Sequence, residues 1–145
     1  MREMFFLFVK CFTKKYFKTN VRASRKEYFS FILFSTLLDV ITGFLFIIND
    51  QKMNWFIGTL VFITILFRLY SFIPSITLTI RRLHDLNLSG WWFFMLTLIV
   101  ILVIYFIPQN TISTVILCIL TIVVILITFK KGTPTTNKYG EPPTE

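Results

Sequence analysis

RRLHDLNLSGWW, Arg81 to Trp92, sets two arginines, a histidine, an aspartate and two tryptophans into a chain that is otherwise mostly Phe, Ile and Leu. Apolar runs flank it, Trp55 to Ile80 before and Trp91 to Ile107 after. A helix rises about 1.5 Å per residue and needs roughly 17 to 25 residues to cross about 30 Å of hydrocarbon. The stretch therefore reads as a boundary where the chain leaves a bilayer and turns back. Arg81 and Arg82 close one span, where cations complement the helix dipole and resist entry into lipid. Asp85 is within helical reach of both. Asn87 and Ser89 are capping types before the next span, and Gly90 permits close approach.

Two further runs, Tyr28 to Ile48 and Thr111 to Phe129, complete the pattern. Open sheet edges are excluded from lipid, and the runs lack the period-two alternation of barrel strands. The expected fold is an all-α membrane protein with four transmembrane helices, at about 28–48, 55–80, 91–107 and 111–129. Pro108-Gln109-Asn110 breaks the last two apart, with Asn110 as a helix cap.

Composition agrees. Of 145 residues 55% are hydrophobic and 15% charged, and Ala23 is the single alanine, which argues against a soluble helical bundle. The net charge of +8 is crowded at segment ends rather than spread over one face, which argues against nucleic acid as a partner. Residues 1–27 hold eight of the 15 Lys and Arg, and Lys130, Lys131 and Lys138 lie in the tail. Lys52 stands alone on the other side, so the positive-inside rule makes both termini cytoplasmic. Trp55 and Tyr105 then mark the outer interface, and Tyr28, Trp91 and Trp92 the inner one.

The first 18 residues are amphipathic: Phe5, Phe8, Val9, Phe12 and Tyr16 recur at helical spacing, with Lys10, Lys14 and Lys18 on another face. They read as an interfacial helix on anionic headgroups. The whole is expected to be a single integral membrane domain, 1–145, with 1–27 a basic cytoplasmic segment and 130–145 a cytoplasmic tail. No cleaved signal is expected, because Lys10 interrupts too short an apolar run. Cys11 and Cys118 are far apart and without ligand spacing, so neither disulfide nor metal chemistry is expected, and no cofactor.

Asp39 and Arg68 interrupt the first two spans at matching depth. Each charge alone costs roughly 2.5 to 3.5 kcal/mol at a span's centre, so an ion pair is expected. Thr64, Arg68, Ser71, Ser75, Thr79 and Arg82 share one helix face, and Ser35, Thr36, Asp39, Thr42 and Gly43 another. These are packing faces of small and polar residues, or else the walls of a polar cavity for a small anion or protons, widened by a kink at Pro74. Thr114, Cys118, Thr121 and Thr128 form a weaker stripe, read as packing. His84 reads as a hydrogen-bonded structural residue, or alternatively as a headgroup contact with Arg81 and Arg82.

Three segments carry a resemblance: VRASRKEYF (Val21–Phe29), IPSITLTIRRLHDLNLSGWW (Ile73–Trp92) and GTPTTNKYG (Gly132–Gly140). Together they resemble the domain-of-unknown-function 805 family of small bacterial inner membrane proteins. The matching positions are Arg22, Arg25, Glu27 and Tyr28 in the first; Arg81, Arg82, His84, Asp85, Ser89, Gly90, Trp91 and Trp92 in the second; and Asn137, Tyr139 and Gly140 in the third. Val21 stands where the family has Gly, Asn87 where Gly is common, and Thr135 and Thr136 replace a Gly-containing step. The resemblance implies a bacterial inner membrane location and no reaction. All three segments fall on the expected cytoplasmic side with complementary charges, so they are expected to pack as one cap, with Glu27 beside Arg81 or Arg82.

The functional expectation is a non-enzymatic scaffold, sensor or envelope-stress component whose cap binds lipid headgroups or a partner protein, with a homo-oligomer as one form. The alternatives are a small transporter or channel subunit using Asp39 and Arg68, and a lipid-phosphate enzyme. For the last, no nucleophile elbow, metal-binding helix or phosphate loop is present.

Overall fold

The computed structural model describes residues 2–49, 54–108 and 110–143. Five helices follow one another: α1 (Arg2–Thr13), α2 (Arg25–Ile48), α3 (Trp55–Asp85), α4 (Trp91–Phe106) and α5 (Thr111–Phe129). There is no strand among the described residues, only an isolated bridge between Asn137 and Gly140. The helices α2, α3 and α5 are long and apolar enough to cross a membrane, while α4, at 16 residues, is shorter. This is the pattern of a multi-pass membrane protein. Lys52 and Gln109 lie outside the described residues.

The boundaries differ from expectation where polar residues extend a helix. Rather than ending at Ile80, α3 continues through RRLHD, so this segment is helix and not loop. Its 31 residues span about 46 Å, well beyond the roughly 30 Å of hydrocarbon. The turn Arg81–Asp85 therefore lies past the apolar span. The helix starts on Asn54, whose Oδ1 accepts from Ile57 N at 2.9 Å. It ends in a Schellman motif: Leu88 N donates to Leu83 O at 2.9 Å and Asn87 N to His84 O at 3.0 Å. Asn87 is left-handed at φ 60°. That is why glycine suits this position and why asparagine, which tolerates the conformation, can replace it.

Asn110 caps α5 as expected, its side chain accepting from Ile112 and Ser113 N while Ser113 Oγ accepts from Asn110 N. At α4 the cap position is Gly90, which has no side chain to cap the helix. Gly90 is small for a reason, because a Cβ there would come within 2.9 Å of Ile80 Cγ2.

The chain divides into two compact units, Met1–Lys18 with Lys26–Thr77, and Thr19–Arg25 with Leu78–Glu145. In the first, α1 stops at Thr13 rather than running to residue 18. Its aromatic face is engaged by the protein's own helices: Phe12 stacks near Phe31 and Tyr70, and Phe8 meets Phe31 and Phe34. Tyr16, beyond the helix, serves α3. Pro74 has no N–H to give to the carbonyl four residues earlier, that of Tyr70. Tyr16 Oη donates to that carbonyl at 2.9 Å instead, and Thr77 Oγ1 donates back to Tyr16 O at 3.1 Å. In the second unit α4 packs against α5.

Candidate functional site

The last turn of a helix leaves backbone carbonyls without intrahelical partners. At the end of α3 the carbonyls of Arg81, His84 and Asp85 collect donors from two distant segments. Ala23 N donates to Arg81 O at 3.2 Å, Thr133 N and Oγ1 donate to Asp85 O at 3.0 and 3.1 Å, and Asn137 Nδ2 donates to His84 O at 2.9 Å. The linker before α2 and the tail after α5 thus close on one helix end.

The charged side chains of the same turn complete the closure. The Asp85 carboxylate lies between two guanidiniums, with Arg22 Nε donating to Oδ1 at 2.9 Å and Arg82 Nη1 donating to Oδ2. Arg22 also donates to the carbonyls of Thr133, Thr135 and Gly140, so its fork holds the tail. Arg82 donates to Thr128 O at 2.8 Å and to Lys130 O, capping the C-terminal end of α5, and to Ala23 O at 3.3 Å. Arg22, Arg81, Arg82 and Asp85 are all at most 4% exposed. Burial of several charges is tolerable where they are paired and hydrogen-bonded, as Arg22, Arg82 and Asp85 are.

His84 has a structural account. Its Nδ1 faces Thr19 O at 3.0 Å; because a carbonyl only accepts, the ring carries its proton on Nδ1. Tyr139 stacks on the other side, with centroids 3.8 Å apart and planes 7° from parallel. Burial lowers the imidazole pKa, and Lys138 adds to the effect against the hydrogen bond to Thr19 O, which raises it. Tyr139 is held in turn by a tight turn in which Asn137 and Gly140 exchange backbone hydrogen bonds of 3.1 and 3.0 Å, with Gly140 at φ 116°.

The structure therefore brings Arg22, Arg82, His84, Asp85, Asn137, Tyr139 and Gly140 together, and Arg81 contributes its carbonyl. Glu27 belongs to the first unit, where its carboxylate receives Lys15 Nζ at 2.8 Å and the Cys11 thiol at 3.6 Å. Tyr28 is half-buried in α2. Ser89 Oγ accepts from Trp91 N at 3.4 Å, and Trp91 and Trp92 are exposed at the start of α4. Asp39 and Arg68 form the expected ion pair within the first unit, with Arg68 Nε to Asp39 Oδ1 at 3.1 Å and Thr42 and Thr64 hydroxyls 3.0 Å apart on the same two helices.

Sequence reasoning missed Gly132 and Thr133. A Cβ at Gly132 would overlap the Asp85 carboxylate, so glycine is what lets the tail pass. Their place in GTPTTNKYG was the available signal. The carbonyl acceptors Thr19, Thr128 and Lys130 had none, since any residue offers a carbonyl. Beside Asp85 lies a pocket of about 240 Å³, lined by Arg22, Ser24, Arg25, Arg82, Lys131, Gly132, Thr133 and Pro143.

No curated protein and no solved structure matches the chain. The family model described as "Protein of unknown function (DUF805)" matches residues 16–141, which include every contact of the clasp just described. With nearly its whole length matched, the chain belongs to the DUF805 family.

Proposed function

We propose that this is a non-enzymatic integral membrane protein of four spanning helices, with both termini in the cytoplasm of a bacterial cell and a clasp that presents a basic surface to anionic lipid headgroups. The observation that carries the reading is the fate of the signature residues. Arg22, Arg82, His84 and Asp85 are buried and bonded inward, closing the linker and tail on α3, and this is the work of a structural latch rather than of an acid, base or nucleophile. Exposed cations remain around the latch, as membrane-surface attraction requires. α4 is short for a span, and the capped hairpin at Asn110 supports its pairing with α5 across the bilayer.

The test is topology. Cys11 and Cys118 are replaced by Ser, and single cysteines are introduced as Asn54→Cys, Asn110→Cys or Glu141→Cys. A membrane-impermeant thiol reagent is expected to label Glu141→Cys in inside-out vesicles only, and the other two in right-side-out vesicles only. Labelling of Asn110→Cys and Glu141→Cys from the same side would remove the four-span reading. A small transporter or channel subunit is the second reading, favoured by one observation, the Asp39–Arg68 ion pair within the apolar stretch of α2 and α3.

A further inference from the structure

The cations expected from sequence to meet headgroups turn away from them. Arg81 and Arg82 are 0% exposed and His84 9%. Two neighbours behave otherwise. Arg25 and Lys131 are exposed, both line the pocket beside Asp85, and neither makes an ion pair among the described residues. Asp85 cannot neutralise them, since its two oxygens are already held by Arg22 and Arg82.

The electrostatic balance of the pocket follows. Its wall carries four cations, Arg22, Arg25, Arg82 and Lys131, against the single carboxylate of Asp85. The buried pair is fixed by carbonyl and carboxylate acceptors and supplies positive potential without moving. The exposed pair is free to contact an anion directly. At about 240 Å³ the space is below the roughly 300–1,000 Å³ of sites for drug-sized ligands. It suits one compact oxyanion.

Position narrows the chemistry. Arg25 begins α2, Asp85 ends α3 and Lys131 follows the end of α5, so the pocket belongs to helix ends, where headgroups lie. Such a site combines a bidentate guanidinium with a point-charge ammonium, the pairing that suits a phosphate with several free oxygens.

We propose that this pocket binds a phosphate group, with Arg25 and Lys131 as its direct contacts and Arg22 and Arg82 as a fixed positive background. A phosphomonoester headgroup and inorganic phosphate share that chemistry. The inference rests on the membrane reading above and deepens it by naming the group recognised.

The experiment uses the full chain in lipid nanodiscs of phosphatidylcholine, with or without a minor fraction of phosphatidic acid, and separately the detergent-solubilised chain with inorganic phosphate. Bound lipid is counted by native mass spectrometry, and phosphate binding is read from the shift in thermal unfolding. Phosphatidic acid is expected to bind, and the double variant Arg25→Ala/Lys131→Ala to weaken it at least about tenfold, whereas Lys14→Ala/Lys18→Ala, an equal charge change at two exposed positions elsewhere, leaves binding unchanged. Arg25→Lys/Lys131→Arg restores part of it. Inorganic phosphate binding as tightly as the lipid assigns the site to free phosphate; binding of the lipid alone assigns it to the headgroup. The proposal is overturned if neither probe binds, if phosphatidylglycerol put in place of the phosphatidic acid binds equally, or if Lys14→Ala/Lys18→Ala weakens binding as much. Should the double variant not fold, Lys131→Gln alone, exposed and outside the clasp, carries the same comparison. Correct thiol-labelling topology with no phosphate binding would remove the pocket and leave the membrane reading intact.

Discussion

Tyr139 lies flat on His84, with ring centroids 3.8 Å apart, and thereby joins the tail to the last turn of α3. The pairing accounts for a histidine that the sequence singled out but could not place. Tyr139→Leu removes the stacking, worth about 0.5–1.5 kcal/mol for such ring pairs. The expected outcome is faster protease cleavage and faster amide exchange over residues 132–143, with the helices unchanged. The pH dependence has a definite sign. With the folded pKa lowered by burial, the neutral ring is favoured in the folded state. Stability from this site is complete above the ordinary histidine pKa of about 6.5 and declines as pH falls from there toward the lowered folded value. His84→Gln is expected to flatten that decline, and an unchanged pH profile of tail exchange would contradict the assignment.

Asp85→Asn leaves the buried guanidiniums of Arg22 and Arg82 without their shared counter-charge. Breaking a buried pair from one side costs about 3–5 kcal/mol, so thermal unfolding in detergent is expected to shift down sharply, with release of the tail. Arg25→Ala, exposed at the same place, is expected to have little effect on unfolding. Equal effects of the two substitutions would mean that the clasp does not hold the fold.

Two positions test backbone geometry without touching charge. Gly132→Ala sets a methyl into the Asp85 carboxylate and is expected to destabilise the protein, approaching the effect of Asp85→Asn. Asn87→Gly is expected to be neutral or slightly stabilising, because φ 60° is freely available to glycine, whereas Asn87→Val is expected to cost about 1–2 kcal/mol. The order of unfolding midpoints, Gly at or above Asn and both above Val, checks this.

Tyr16→Phe deletes the hydroxyl that replaces the missing Pro74 donor at the Tyr70 carbonyl. Tyr70 is exposed, so the expected loss is that of one net hydrogen bond, about 0.5–1.5 kcal/mol. Pro74→Ala restores the helix's own N–H and is expected to make Tyr16→Phe nearly harmless. Additive losses in the double variant would show that the two features are independent.

Asp39→Asn or Arg68→Gln alone leaves one charge in an apolar helix, at roughly 2.5–3.5 kcal/mol. The exchanged double variant Asp39→Arg/Arg68→Asp is expected to recover stability if the pair serves packing. Folded protein that has lost ion flux in reconstituted vesicles would favour the transport reading instead.

Much of the architecture was legible in the sequence, because the bilayer imposes length and polarity on each segment separately. Long apolar runs, the cap at Asn110 and the complementary depth of Asp39 and Arg68 are local or one-dimensional signals, and each can be read residue by residue. The extension of α3 through RRLHD was legible only in part: the helical reach from Arg82 to Asp85 could be read, but the helix end could not, since it depends on the partners its carbonyls find. Nor was the end of α1 at Thr13 legible, where Lys15 turns to Glu27 and Tyr16 to Tyr70.

Sequence by itself determined that apolar helices alternate with charged turns, and that three motif segments carry the chemistry. Tertiary structure alone decided what those segments do to one another. Arg22 and Arg82 meet Asp85 and a set of backbone carbonyls, and carbonyls carry no side-chain identity for a sequence to display. For the same reason the residues that looked most available for binding, Arg81, Arg82 and His84, are buried, while Arg25 and Lys131, which line the pocket beside the clasp, are exposed.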